Sequence, residues 1–249
     1  MLRWLAERQR LPDFLGLGTQ KGGTSTLQAL LKTHPDVFFP SCKEVHYFSL
    51  HAEKTPRWYS NHYANAGRRQ RCGDITPYYL FHPEAPQRIK ALLPRVRMLV
   101  LLRDPVERCL SQVFHARRLG FEHLEPEAAI DAENQRLADG SAFSLQKHSY
   151  QARSRYLEQL DRYERLFHHQ QLLVLRSEDL FEQPDAVWFK ILRFLKLPNQ
   201  PLPKPLPIAN RGQGESKDVS SELRTRLRIE LAATAEGVRE RYGFGWDWA

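Results

Sequence analysis

Along the chain, short apolar runs alternate with stretches in which apolar residues recur every third or fourth position. Met98 to Leu102 is the longest strongly apolar run, and Val96 to Leu102 (VRMLVLL) predicts a strand buried on both faces of a parallel sheet. Asp13 to Gly18 (DFLGLG) and Leu172 to Leu175 (LLVL) predict two further core strands. Leu27, Leu30 and Leu31 give Ser25 to Thr33 a helical period. Tyr150 to Phe167, Pro184 to Leu195 and an amphipathic Ser220 to Tyr242 read as helices on the same grounds. After the strongest strand, Asp104 suits a helix N-cap and Pro105 the first turn. The proline-rich Leu197 to Pro207 cannot be regular and reads as a surface connection. Strands alternating with helices predict an α/β fold with a central, mainly parallel sheet flanked by helices. At 249 residues the chain reads as a single domain, 1–249.

Composition narrows the class. With 41% hydrophobic and 27% charged residues, the chain is neither disordered nor fibrous. No apolar run approaches the roughly 20 residues that span a bilayer, so no transmembrane segment is expected. Arg3, Glu7, Arg8 and Arg10 stand where a signal peptide would be apolar, which points to a cytoplasmic protein. Cys42, Cys72 and Cys109 cannot all pair and lack C-x-x-C spacing, as expected of buried thiols in a reducing compartment. Lys and Arg number 37 against 29 acidic residues, a net charge of +8 that favours an anionic partner without choosing it. The clusters Arg68-Arg69-Gln70-Arg71 and Arg117-Arg118 read as solvated faces, so no nucleic acid is expected. Trp246 and Trp248 are expected to pack the tail onto the domain.

Candidate chemistry begins at Gly18 to Leu27 (GTQKGGTSTL). Gly18 and Gly23 have the spacing of the phosphate-binding G-x-x-x-x-G-K-[ST] loop, and Ser25 stands at its hydroxyl position. Thr24, however, occupies the lysine position, and the lysine, Lys21, lies inside the loop. Strand, glycine loop and helix in that order make an anion cradle, while the missing lysine argues against an ordinary kinase or ATPase. Arg103, just past the carboxyl end of the strongest strand, and Ser111, two turns into the next helix, suit a second phosphate. In Lys43 to Phe48 (KEVHYF), Glu44 is either a general base or half of an exposed ion pair with Lys43. His46 is a rival base or a packed histidine. Asp74 and Thr76, in CGDITPY, offer polar groups near the same sheet edge or simply form a turn.

Together these pieces resemble the sulfotransferases that use 3′-phosphoadenosine 5′-phosphosulfate (PAPS), especially the heparan-sulfate type and its bacterial relatives. The resemblance runs from FLGLGTQKGGTSTL through KEVHYF, GDITPYYLFHPEAPQRI, RMLVLLRDPVERCLSQ and SRYLEQLDRYERLF to LLVLRSEDLFEQPDAVWFKILRFLKL. It implies a P-loop-like three-layer fold, PAPS as donor, 3′-phosphoadenosine 5′-phosphate (PAP) as product and no metal. It further implies that Lys21, Gly22, Gly23, Thr24, Ser25 and Thr26 hold the 5′-phosphosulfate, and Arg103 and Ser111 the 3′-phosphate. Glu44 matches the base of the glycan-sulfating branch, with Lys43 beside it and Lys21 stabilising the leaving phosphate. His46, Asp74 and Tyr156 are candidates to meet an acceptor hydroxyl or amine, expected on a carbohydrate. The family often has proline after the base glutamate, whereas Val45 stands here. Its C-terminal lysine-glycine turn has no full counterpart, so either Arg211 or Lys217 is the expected donor contact there. Rival readings of the same loop are a degenerate P-loop kinase and a nucleotide-binding protein without catalysis.

Overall fold

The structure, a computed structural model, describes residues 10–207 and 219–248. Five strands, β1 (Phe14–Gly18), β2 (Val37–Phe38), β3 (Arg71–Ile75), β4 (Arg97–Leu102) and β5 (Leu172–Arg176), form one sheet in the order β2-β3-β1-β4-β5. Every pairing is parallel. The described helices are α1 (Thr24–Lys32), α2 (Pro56–Asn61), α3 (Tyr78–Phe81), α4 (Ala85–Leu92), α5 (Pro105–Arg118) and α6 (Pro126–Asp131). They continue as α7 (Glu133–Ala138), α8 (Ala142–Lys147), α9 (Tyr156–Glu164), α10 (Asp179–Glu182), α11 (Pro184–Leu195) and α12 (Ser221–Tyr242).

The unbroken apolar character of β4 has its cause in the layers. Met98, Val100 and Leu102 pack on one face of the sheet with residues of α3, α4, α9 and α12, among them Tyr79, Ile89, Leu160 and Val238. Leu99 and Leu101 pack on the other face with Leu27, Leu30 and Leu31 of α1 and Trp188, Ile191 and Leu192 of α11. Each fully buried Leu or Val contributes about 1.5–3 kcal/mol before entropy is counted, so β4 anchors both layers. A third cluster joins Val106, Cys109 and Leu110 of α5 to Leu223, Leu227 and Leu231 of α12.

Sheet order fixes where a ligand can sit. Either side of β1 the chain departs in opposite directions, to β3 and β2 or to β4 and β5. The crevice outside the carboxyl ends of the strands at such a switch point is the usual ligand site of open α/β sheets. The segments after Gly18, Ile75, Leu102 and Arg176 all emerge there.

Two expectations are corrected. Tyr150 to Phe167 is not one helix: a 3₁₀ turn, Ala152–Ser154, precedes α9, and Arg155 breaks the helical geometry between them. At the break the Gln159 side-chain amide takes the carbonyls of Ala152 (3.2 Å) and Arg153 (3.1 Å), which a continuous helix would have used, while the Glu133 carboxylate accepts from the backbone N–H of Gln151 (2.6 Å) and Ala152 (2.8 Å) and caps the turn. Cys42 is exposed, unlike the buried Cys72 and Cys109, and its thiol lies 3.6 Å from His62 Nδ1.

Candidate functional site: a glycine loop facing an ionised carboxylate

The loop from β1 to α1 is folded onto the ends of β4 and β5 by its own backbone groups. Thr19 N–H (2.7 Å) and Oγ1 (3.1 Å) both donate to the Leu101 carbonyl, and buried Ser177 Oγ donates to the Gly22 carbonyl (2.9 Å). Only glycine fits at 22, since a Cβ there would lie 2.4 Å from Thr19 Oγ1 and 2.9 Å from the Leu101 carbonyl. Gly23 caps α1 in the left-handed region at φ 84°. No side chain caps that helix and no acidic residue stands in its first turn. The N-terminal N–H groups and the positive end of the helix dipole are thereby directed at the loop, the arrangement that binds phosphate.

Lys21, Glu44 and His46 have φ of 68°, 61° and 57°, in a region that side chains rarely occupy. Lys196 is the other such residue among those described. Three strained positions around one crevice are typical of sites where geometry is held for function.

Arg103 reaches back from β4, its Nη1 donating to the Lys21 carbonyl (3.1 Å). The turn that carries it is held from several sides. Tyr156 Oη donates to the Arg103 carbonyl (2.7 Å), and Asp104 N–H donates to Glu178 Oε1 (3.0 Å). Asp104 Oδ1 caps α5 by accepting from Val106 N–H (2.8 Å) and Glu107 N–H (3.0 Å). The C-terminal tail completes the set: Trp248 Nε1 donates to Asp104 Oδ2 (2.6 Å) and Trp246 Nε1 to Glu178 Oε2 (3.1 Å). Half-buried Ser111 lies farther along α5, with His115 one turn beyond on the same face.

Lys43 joins the loop to the carboxylate. Its Nζ donates to Ser25 Oγ in α1 and lies 3.4 Å from Glu44 Oε1. His46 Nε2 lies 3.5 Å from Glu44 Oε2, while His46 Nδ1 meets Ser49 Oγ at 3.1 Å. Burial acts to raise the Glu44 pKa, but the His46 contact and the Lys43 and His46 charges outweigh it, and the value falls below the ordinary glutamate one. Glu44 is thus a carboxylate at neutral pH.

Beneath these groups lies Asp74, 1% exposed. Its carboxylate accepts from Tyr59 Oη (2.7 Å), Tyr79 Oη (2.9 Å) and Thr76 Oγ1 (2.7 Å). Burial pushes its pKa up against those three donors. Thr76 Oγ1 in turn accepts from His46 N–H at 3.5 Å. Asp74 and Tyr156 therefore sit under the crevice, bracing the segments that carry His46 and Arg103.

A cavity of about 230 Å³ opens beside Glu44, lined by Gln20, His46, Tyr78, His115, Lys147 and Arg153 among others. Buried Arg153 is its keystone. The guanidinium lies 4.7 Å from the Tyr78 ring centroid and 5.0 Å from that of Phe81. It donates to Ser149 Oγ (2.8 Å), to the Gln146 carbonyl (2.7 Å) and to Gln20 Oε1. Burial lowers its pKa to about 10, which leaves it charged. Burial and then the Lys21 and Arg118 charges push half-buried His115 down to about 4, so it is neutral at pH 7.

The structure brings Lys21, Gly22, Gly23, Thr24, Ser25, Thr26, Lys43, Glu44, His46 and Arg103 to one sheet edge. Arg211 and Lys217 lie outside the described residues. Gln20, His115, Lys147, Arg153 and Ser177 escaped the sequence reading. His115 was within reach of it, four residues past Ser111 on one helix face. Arg153 was not, because what makes it notable is the set of rings and carbonyls around it.

A glycine loop at a helix N-terminus is thus joined through one lysine to an ionised carboxylate across the crevice. Residues 11–209 match the sulfotransferase domain family, and the chain belongs to that family. Over 105 residues it is 37% identical to the membrane-associated sulfotransferase kil1 of Dictyostelium discoideum, covering 41% of this chain and 22% of that protein. Over 202 residues it is 26% identical to a bifunctional heparan sulfate N-deacetylase/N-sulfotransferase 1 of Caenorhabditis elegans, covering 78% and 23%. The chain thus spans about a quarter of the length of these curated relatives. The crystal structure of a sulfotransferase from Alicyclobacillus acidocaldarius shares the fold at a TM-score of 0.82 and 24% identity, over 95% of this chain and 98% of that one. A mouse sulfotransferase crystallised with PAP shares it at 0.58 and 14% identity, over 93% and 85%. Among the described residues, no helix is long and apolar enough to cross a membrane.

Proposed function

We propose that the protein transfers the sulfuryl group of PAPS to a hydroxyl or amine of a carbohydrate-bearing acceptor in the cytoplasm. The observation that carries this reading is Lys43, whose one ammonium touches both Ser25 of the anion loop and Glu44. Donor loop and base are coupled through it.

Glu44, ionised and lining the cavity, takes the proton of the attacking acceptor. Lys21 and the N–H groups of the loop meet the negative charge that builds on the departing 5′-phosphate. Arg103 and Ser111 hold the 3′-phosphate, with Arg211 or Lys217 closing on the donor. The pairing that depresses the Glu44 pKa also weakens it as a base. An anionic donor at the loop competes for Lys43 and so restores part of the basicity of Glu44 when the acceptor is due to react. His46 orients the Glu44 carboxylate through its second oxygen.

Thermal unfolding with PAP or with ATP and Mg²⁺ tests the reading. A ligand at 100 times its Kd stabilises by about 2.7 kcal/mol, which for a chain of this size raises Tm by roughly 5–10 °C. PAP is expected to do so. Stabilisation by ATP–Mg²⁺ and none by PAP would overturn the assignment.

A further inference from the structure

The cavity beside Glu44, about 230 Å³, is smaller than the roughly 300–1,000 Å³ usual for small-molecule sites. It takes a single ring-sized unit, and the rest of any larger acceptor must lie on the rim. That rim is apolar. Leu119 is 54% exposed and Phe143 50% exposed, and Leu119 and Phe121 line the cavity itself. The rings of Phe121 and Phe143 meet edge to face at 6.1 Å, and α8, which carries Phe143, buries none of its residues. Lys147 lies over the Phe121 ring (4.3 Å) and also lines the cavity, so the charge stays at its mouth.

Exposed apolar residues normally stand singly, and a contiguous set opening onto a pocket marks a ligand surface. A sugar ring can lay its C–H face on one of these rings, but its hydroxyls and charges gain no partner from Leu119, Phe121 or Phe143. An alkyl or acyl chain would lose nothing there. We propose that the acceptor is an amphiphilic alcohol, with its polar ring in the cavity, a hydroxyl at Glu44, and an apolar tail along Leu119, Phe121 and Phe143. This rests on the sulfotransferase reading of the same cleft. The acceptor oxygen forms a bond to sulfur as the bond from sulfur to the 5′-phosphate oxygen breaks. The hydroxyl proton passes to Glu44 and the electron pair leaves on PAP.

The test compares methyl and n-octyl glucosides and galactosides, the octyl compounds kept below micelle formation, with labelled PAPS and the full chain. One further arm presents glycosylceramide in phosphatidylcholine vesicles, and another a soluble heparan oligosaccharide. For an octyl glycoside, kcat/KM should exceed that of its methyl partner by at least about tenfold. Phe143→Ser should bring that ratio close to one while PAP still raises Tm, which shows that the variant is folded. Transfer to the vesicle glycolipid and not to free octyl glycosides supports the same chemistry with a membrane as its source. A ratio near one with no transfer to the vesicle lipid, or the oligosaccharide outrunning every amphiphile, overturns the proposal. Loss of PAP binding in the unmodified protein would instead count against the sulfotransferase reading itself.

Discussion

The glycine loop after β1 and the wall from α5 to α9 meet at one cavity, where Gln20 of the loop touches Arg153 of the wall. The loop is defined by backbone: a Thr19 N–H on a Leu101 carbonyl, a glycine that admits no Cβ, and an uncapped helix end. The wall is defined by side chains, with Arg153 stacked on two rings and tied to the Gln146 carbonyl of α8, a helix that lies on the surface. A backbone-built site suits a donor that is the same in every turnover. A side-chain wall can be rebuilt for a different acceptor without disturbing the sheet. The proposed chemistry lies where the two meet, and Glu44→Gln should have the largest effect. Removing a general base lowers turnover by about 10²–10⁴-fold, with PAP stabilisation retained. Turnover unchanged in this variant would take the base role from Glu44.

The pH dependence follows from the same residue. Because its folded pKa is depressed, Glu44 contributes stability that is present above the unfolded value and lost as pH falls through the folded one. The rate should therefore hold through neutrality as far as Glu44 is concerned, and fall on an acid limb below the ordinary glutamate range. An acid limb that persists unchanged in Glu44→Gln would belong to another group.

Next in size is a pair of glycine substitutions that separates backbone from side-chain construction. Gly22→Ala drives a Cβ into Thr19 Oγ1 and the Leu101 carbonyl. It should destabilise the protein by about 1–3 kcal/mol and weaken PAP binding at least about tenfold, as calorimetric titration would show. Gly120→Ala, on the acceptor side, meets nothing within 4 Å but sits at φ +72°. Its effect should be strain of about 1 kcal/mol with PAP affinity unmoved. Equal losses of PAP affinity in both would erase the distinction between the two walls.

That distinction also decides what could be read from the sequence. The loop, β4 and Arg103 were legible because glycine spacing, an apolar run and a strand end are local signals. Asp74 reads as a turn former or an acceptor contact, yet it lies under hydroxyls from positions 59, 76 and 79, which no local pattern announces. The long helix expected over 150–167 is broken where the Gln159 side-chain amide takes the Ala152 and Arg153 carbonyls, a competition that apolar spacing does not register. Arg153 is a further case, since Gln20, Tyr78 and Phe81 reach it from distant parts of the chain.

Arg153→Lys tests the wall. A lysine keeps the charge but cannot stack on Tyr78 and Phe81 or span Ser149, Gln146 and Gln20 together. Acceptor kcat/KM should fall about tenfold, with a smaller change in donor KM. A donor KM that moved more than the acceptor KM would assign Arg153 to the loop instead.

The smallest effect is expected where the tail braces the donor side. Trp248→Phe keeps an aromatic ring but removes the N–H that donates to Asp104 Oδ2, together with part of the ring system that packs on the core. Asp104 still caps α5 through Oδ1, and Tyr156 and Glu178 still hold the turn. The lost bond is worth about 1 kcal/mol, or roughly 2–4 °C in Tm. If the turn transmits this to Arg103, donor KM rises about twofold to fivefold while acceptor KM stays put. A Tm that falls with donor KM unchanged would mean that the remaining bonds alone fix Arg103, and that the tail stabilises the fold without tuning the site.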